Sequence, residues 1–389
     1  MSESNLPVIL FYGGIILLLI LFRKKFEIQN KIIALYRTKI GLKAMENIGT
    51  RYAPWVRLLG YIGIGAGFIG MLFIIFTLVK NLYNLLLTPA ATSGISLVIP
   101  GVNIPGSPIT PPLIIGWIAL FFVIVIHEFS HGIVSIAHGV KVKSSGIVFF
   151  GPLMGAFVEP DEKQLEKKHE TAQYSVFAAG PWSNILLAVF AFLVLSFALN
   201  PLFNDFVTPA GVSIEAVEEG LPAAQAGLPV GSVVTAINGY PIQSYDQFIQ
   251  ELRFVRPGES VTLTADGKNY TITTTAHPNN ERIAFLGIKG ISNKIEPKYT
   301  GTIGNIGLSL IKLLRELFSW IGILSLGIGL ANLLPLGPVD GGRMMLLAMQ
   351  QTKGKKRGLK AWIRVSTVTL LLLLLNLFWP AISWFTNLL

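Results

Sequence analysis

Cysteine is absent from all 389 residues. That excludes a disulfide framework, a thiolate metal site and a catalytic cysteine, and leaves any metal to imidazoles and carboxylates. Charge is also scarce. Asp, Glu, Lys and Arg make up 13% of the chain, where soluble domains carry nearer to about a quarter. An ordinary soluble globular protein is excluded, and 52% hydrophobic residues with a mean hydropathy of +0.60 indicate an integral membrane protein. The formal net charge is +10, yet no basic stripe with interleaved aromatics is present, so a nucleic-acid partner is not expected. Basic loops beside anionic lipid explain the excess better.

Six apolar segments approach bilayer length: about Pro7–Phe22, Leu58–Val79, Pro112–His138, Tyr174–Leu199, Phe318–Leu334 and Trp362–Trp384. The first follows a start with one acid and no basic side chain, which reads as a retained anchor rather than a cleaved signal peptide. Lys and Arg orient the helices. Residues 23–57 hold nine of them, residues 139–172 include Lys141, Lys143, Lys163, Lys167 and Lys168, and Arg343 to Lys360 form a third basic set. The loop Thr88–Pro111 has none. The positive-inside rule puts the three basic sets in the cytoplasm. A multi-pass cell-membrane protein follows, with the N-terminus and the polar region 205–300 extracytoplasmic.

Residues 144–160 show no helical period. Gly151-Pro152 separates two β-prone runs, which predicts a hairpin, and its apolar character predicts one covered at membrane depth. The polar region alternates short strands and turns: strands over Val212–Val217 and Val233–Ile237, an Asn238-Gly239 turn, a helix over Tyr245–Phe254 and a hairpin around Asp266-Gly267.

Histidine is rare, with five in the chain, and two lie four residues apart inside an apolar segment: His127-Glu128-Phe129-Ser130-His131. Ionisable groups at that depth are costly and usually functional. Residues i and i+4 share a helix face, so His127 and His131 can bind one zinc. Glu128, about 100° around the helix, can reach a water without ligating and serve as general base. A third ligand is needed. His138 shares the face but lies about 10 Å along the axis from His131, too far for one metal. His169 and His277 fall in polar stretches. Glu316 sits in an interfacial turn with local basic partners. Asp340 lies in a run that breaks a helix with two Pro and three Gly, Asn332 to Gly342, and backbone broken near membrane depth usually lines a cavity. A plain N-cap role for Asp340 stays open. The inferred topology brings Asp340 and the His pair to one side of the membrane at similar depth, where they can share one metal.

His-Glu-x-x-His in one membrane helix with Asn-x-x-Pro-x-x-x-x-Asp-Gly (Asn332 to Gly341) in a later one resembles the site-2 protease family of intramembrane zinc metalloproteases. The resemblance covers most of the chain. It implies His127, His131 and Asp340 as ligands of one zinc per chain and Glu128 as catalytic acid and base. A Gly-x-x-x-Asn run matches Gly180 to Asn184; small residues there permit close helix approach. Asn184 and Asn332 are candidate substrate-binding residues, although an Asn that ties two helices together fits equally. The hairpin 144–160 resembles the family's membrane-inserted β-element, which would hold substrate as an added strand.

Residues 205–292 resemble a circularly permuted PDZ domain of bacterial and archaeal proteases. The match rests on Gly220 to Gly227 (GLPAAQAG), Gly231, Ile237 to Gly239 and Phe285 to Ile288, the last like a carboxylate-binding loop; position 232 is Ser where Asp is usual. The expected fold is a polytopic α-helical membrane protein of about six transmembrane helices, with a membrane-associated β-hairpin and an inserted α+β PDZ domain. The expected domains are 1–204 with four spans and the His pair, 205–292 as the PDZ domain, and 293–389 with two spans and the third ligand. The implied function is zinc-dependent endopeptidase activity inside the membrane. The substrate would be a single-span membrane protein already cut by another protease, and the PDZ domain would take a peptide C-terminus or act as a size filter. Two rivals remain: a membrane PDZ receptor or scaffold with a non-catalytic metal site, and a zinc transporter.

Overall fold

The computed structural model describes residues 6–29, 33–87, 94, 95, 97–104, 107, 109–278 and 280–386. The acidic start at residues 2–5 and residues 88–93 of the loop without basic side chains lie outside the described residues.

Five of the described helices are long and apolar enough to cross a membrane: Ala53–Leu87, Leu113–Ala137, Glu170–Phe206, Thr302–Asn332 and Lys355–Trp379. The first apolar segment forms a helix, Leu6–Leu21, but its 16 residues rise about 24 Å, short of a hydrocarbon core of about 30 Å. The count is therefore five clear spans plus one short apolar helix. Chain contacts divide the protein into two units, residues 1–195 with 315–389 and residues 196–314.

In the first unit, the helix that carries the His pair runs Leu113–Ala137, with Pro112 at its N-cap and left-handed Gly139 just beyond its C-cap, His138. Its neighbour, Glu170–Val194, is capped by His169, whose side chain accepts from Thr171 N–H. Pro181 sits inside that helix without ending it. The asparagine-proline-aspartate run lies between the C-terminus of Thr302–Asn332 and the N-terminus of Asp340–Lys353.

The expected hairpin is present as Val142–Phe150 and Leu153–Pro160, turning at Gly151-Pro152 with Phe150 opposite Leu153. It is half of a larger sheet. Ile33–Thr38 pairs antiparallel with Val142–Phe150, and Glu27–Gln29 pairs with Ile33–Thr38. Arg37 ties the layers together through Glu27, Ser144 and Glu159. The carboxyl of Glu27 is held below its usual range, first by its hydrogen bond from Arg37. Leu153–Pro160 is the edge strand of this sheet. It packs on the His helix, where a Cβ on Gly132 would stand 3.2 Å from Val158 Cγ1.

The second unit is an antiparallel sheet in the order Ile288–Pro297, Val207–Val217, Val233–Ile237, Ser260–Ala265 and Lys268–Thr273. Helices Pro222–Gln225 and Tyr245–Leu252 complete a PDZ architecture. Asn238-Gly239 and Asp266-Gly267 both turn with positive φ at each residue, the geometry of tight hairpins. The core gathers Val212, Ile214, Val234, Ile237, Val261, Leu263 and Ile272 around Phe248, which is fully buried. Phe248→Ala is expected to cost about 3–5 kcal/mol and to open this unit to limited proteolysis; protease resistance equal to that of the parent would contradict this packing.

Candidate active site

Three donor atoms converge inside the apolar helices. His127 Nε2 and His131 Nε2 are 3.2 Å apart. Asp340 Oδ2 stands 3.2 Å from the first and 3.4 Å from the second. Zinc bonds of about 2.0–2.1 Å to N and O ligands place tetrahedral donors about 3.3 Å apart. The triangle therefore fits a zinc ion with one corner left open. It is the one group of three His, Cys, Asp or Glu ligands with this geometry among the described residues.

The orientation of each ligand has a local cause. The four-residue spacing stacks both imidazoles on one face of Leu113–Ala137. Asp340 is the first residue of the helix Asp340–Lys353, so its carboxylate sits at a positive helix end. Gly341 and Gly342 let the preceding turn fold back onto that helix: a Cβ on Gly341 would strike the Leu333 and Leu334 carbonyls, and one on Gly342 would lie 2.5 Å from Leu336 O.

Hydrogen bonds fix the imidazole tautomers. His131 Nδ1 is 2.7 Å from Val176 O, an acceptor only, so Nδ1 carries the proton and Nε2 keeps its lone pair for a metal. Nδ1 of His127 is 3.1 Å from the Asn184 side-chain amide. A metal on His127 Nε2 requires Nδ1–H as donor, and therefore the Asn184 oxygen as its acceptor. Amide N and O occupy nearly equivalent positions, so this needs only a flip of the amide. Asn184 is fully buried and its backbone oxygen accepts from Ser325 Oγ at 2.8 Å, which fixes it behind the His127 ring. Asn184→Ala is expected to weaken zinc retention about 10–100-fold, as loss of outer-shell partners does; metal titration of the purified variant checks it.

Glu128 is not part of the donor triangle. Its Oε2 accepts from Val158 N–H at 3.0 Å, which ties it to the edge strand of the sheet. Glu128, the three donors, Val158 and Asn332 line one cavity of about 350 Å³. The Asn332 side chain has no hydrogen-bond partner among the described residues. His138 and His169 stay apart from the donors: His138 Nε2 meets Ser175 Oγ at 3.2 Å and His169 caps its helix; in the second unit, the His277 ring packs on Phe285.

Residues 115–375 match the family description Peptidase family M50. The chain belongs to peptidase family M50. This is the site-2 protease family, and it makes the chain a metalloprotease. Uncharacterized protein MJ0971 of Methanocaldococcus jannaschii is 31% identical to the M50 peptidase over 352 residues, 88% of this chain and 85% of that one. Zinc metalloprotease RasP of Geobacillus kaustophilus is 25% identical over 264 residues, which cover 56% of this chain and 61% of that relative. Among solved structures, the PDZ domain of an SdrC-like protein from Listeria monocytogenes is 27% identical, covering 20% of this chain and 85% of that one with a TM-score of 0.18.

The cavity of the M50 peptidase has walls that sequence reasoning missed. Arg343 lies one turn past Asp340, reaches Glu162 Oε1 at 3.4 Å and covers the Phe177 ring with its guanidinium at 5.8 Å. The signal was available: Arg343 is three residues after Asp340, on the same helix face. Counting it only as a topology charge hid it.

Proposed function

We propose that this M50 peptidase is a zinc-dependent endopeptidase that hydrolyses peptide bonds within transmembrane segments of single-span membrane proteins. The observation that carries the proposal is the tetrahedral spacing of His127 Nε2, His131 Nε2 and Asp340 Oδ2 between apolar helices, with Glu128 beside them. One zinc per chain would be held by these three atoms. Bound zinc supplies Lewis acidity, which makes water a stronger acid and polarises the scissile carbonyl.

The protein's own groups do the rest. Glu128 takes a proton from the attacking water and hands one to the leaving amine. Val158 N–H holds one Glu128 oxygen, which leaves the other for the water. Asn184 orients His127. Asn332, with its free amide, contacts the substrate backbone. A substrate helix must first unwind, because its amides are satisfied internally. The edge strand Leu153–Pro160 offers unpaired backbone groups next to Glu128, so the unwound segment adds to it as a further strand.

The basic sets around residues 23–57, 139–172 and 343–360 support an orientation with the N-terminus and the PDZ region, residues 205–292, outside the cell membrane. That region flanks spans on both sides, 1–204 and 293–389. It admits substrates whose outer domain another protease has already removed, by size or by capture of the new peptide C-terminus.

The test uses the full chain in proteoliposomes with a single-span substrate. Cleavage inside the transmembrane segment, stopped by a zinc chelator and restored by zinc alone, is the expected result. A cut mapped only to soluble flanks, or activity indifferent to chelation, would overturn the proposal.

A further inference from the structure

Three helix ends meet around a second cavity, of about 480 Å³, that the proteolytic site does not use. Arg57 and Tyr61 lie in the first turns of Ala53–Leu87, His138 is the C-cap of Leu113–Ala137, and His169 is the N-cap of Glu170–Val194. Lys168 and Thr171 complete the polar lining. Where membrane-spanning helices end together, the depth is that of the lipid headgroups.

The lining is cationic and has no counter-charge. Arg57 and Lys168 both face the cavity, and no Asp or Glu lines it among the described residues. Neither has a carboxylate partner within ion-pair distance there. Arg57 uses one donor, Nε, on Ala137 O at 2.7 Å, and the rest of its guanidinium fork has no acceptor among the described residues. Lys168 Nζ stands over the helix terminus, 3.2 Å from where a Cβ on Gly139 would be. His169 Nδ1 accepts from Thr171 N–H, so its proton is on Nε2, a further donor.

A simpler account is that the two cations only complement the negative end of Leu113–Ala137. That explains the Arg57 bond to Ala137 O. It leaves unexplained the cavity itself and the positive end of Glu170–Val194 opening onto the same space, an arrangement suited to anions.

We propose that this pocket binds a phosphate group, carried by the headgroup of an anionic phospholipid or free in solution. Bound there, the phosphate bridges the ends of the helices that carry His131 and its partner Val176, at a place distinct from the zinc site.

The experiment uses the purified, delipidated full chain in a neutral sugar detergent. Short-chain phosphatidylglycerol and inorganic phosphate are titrated separately, with thermal shift and native mass spectrometry as readouts. Phosphatidylglycerol is expected to bind the parent, to lose at least tenfold in affinity in R57Q/K168Q, and to keep its affinity in R57K/K168R. Competition by inorganic phosphate, with the same dependence on Arg57 and Lys168, assigns phosphate alone as sufficient. Absence of competition assigns the lipid. Either result supports the site. Equal binding by the parent and by folded, zinc-retaining R57Q/K168Q would overturn it, as would an equal loss from K167Q, whose side chain lies outside the pocket. K168Q alone carries the test if the double variant does not fold, since no hydrogen bond or ion pair of the Lys168 ammonium is lost among the described residues.

Discussion

Glu128→Gln is expected to keep its zinc and lose cleavage of a transmembrane substrate by about 10²–10⁴-fold, the range a positioned general base supplies. The substitution preserves shape, and an amide oxygen can still accept the Val158 N–H bond that Glu128 receives at 3.0 Å. It also leaves the donor triangle intact, because Glu128 contributes no atom to it. What it removes is a group able to take and return a proton. Zinc per chain, measured by elemental analysis, and cleavage, measured on the same preparation, separate these effects. A variant with full zinc and near-parental cleavage would take Glu128 out of the chemistry. A variant without zinc would instead make Glu128 part of the metal's support.

Gly180→Ala is expected to be nearly as damaging, through geometry alone. Glu170–Val194 crosses the His helix so closely that a Cβ at position 180 would lie 2.5 Å from His127 Nε2 and closer still to His131 Nε2. No real Cβ contact is that short, so a ligand ring or a helix must shift. A displacement of about 1 Å at a reacting centre costs about 10²-fold in rate, and zinc retention should fall with it. Gly65→Ala provides the control: it is also a helical glycine of a membrane span, but a Cβ there meets nothing within 4 Å. It should match the parent in zinc and cleavage. If Gly180→Ala behaved like Gly65→Ala, the packing of the two helices at the site would be wrong.

Much of this site was readable from short-range pattern. The pair at 127 and 131 declares its own geometry, because four residues make about one helical turn. The hairpins of the PDZ unit were equally local: Asn-Gly and Asp-Gly set the turn type by themselves. The sheet beside the site was only half visible. Glu27–Gln29 and Ile33–Thr38 lie within the first basic set, residues 23–57, and the partner of Ile33 is Phe150, more than a hundred residues away. Nothing in a run of six residues announces such a partner. The first apolar segment was already short for a span in the sequence, at Pro7–Phe22, and the helix it forms, Leu6–Leu21, is no longer than that.

Asn184 shows where pattern stops. Its place in a Gly-x-x-x-Asn run made it a candidate either for the substrate or for tying two helices together, and which neighbour an amide meets depends on how two helices cross. The structure buries it fully against His127 Nδ1. The amino-acid order alone established a membrane protein, a paired imidazole face, a nearby carboxylate and a polar inserted domain, because hydropathy and helical period act over a few residues. Tertiary structure alone decided that Asp340, more than two hundred residues away, lies 3.2 Å from His127, that Gly180 leaves room for the ligand rings, and that an edge strand reaches Glu128. Those are contacts between segments distant in the chain, and they exist only once packing has brought the helices together.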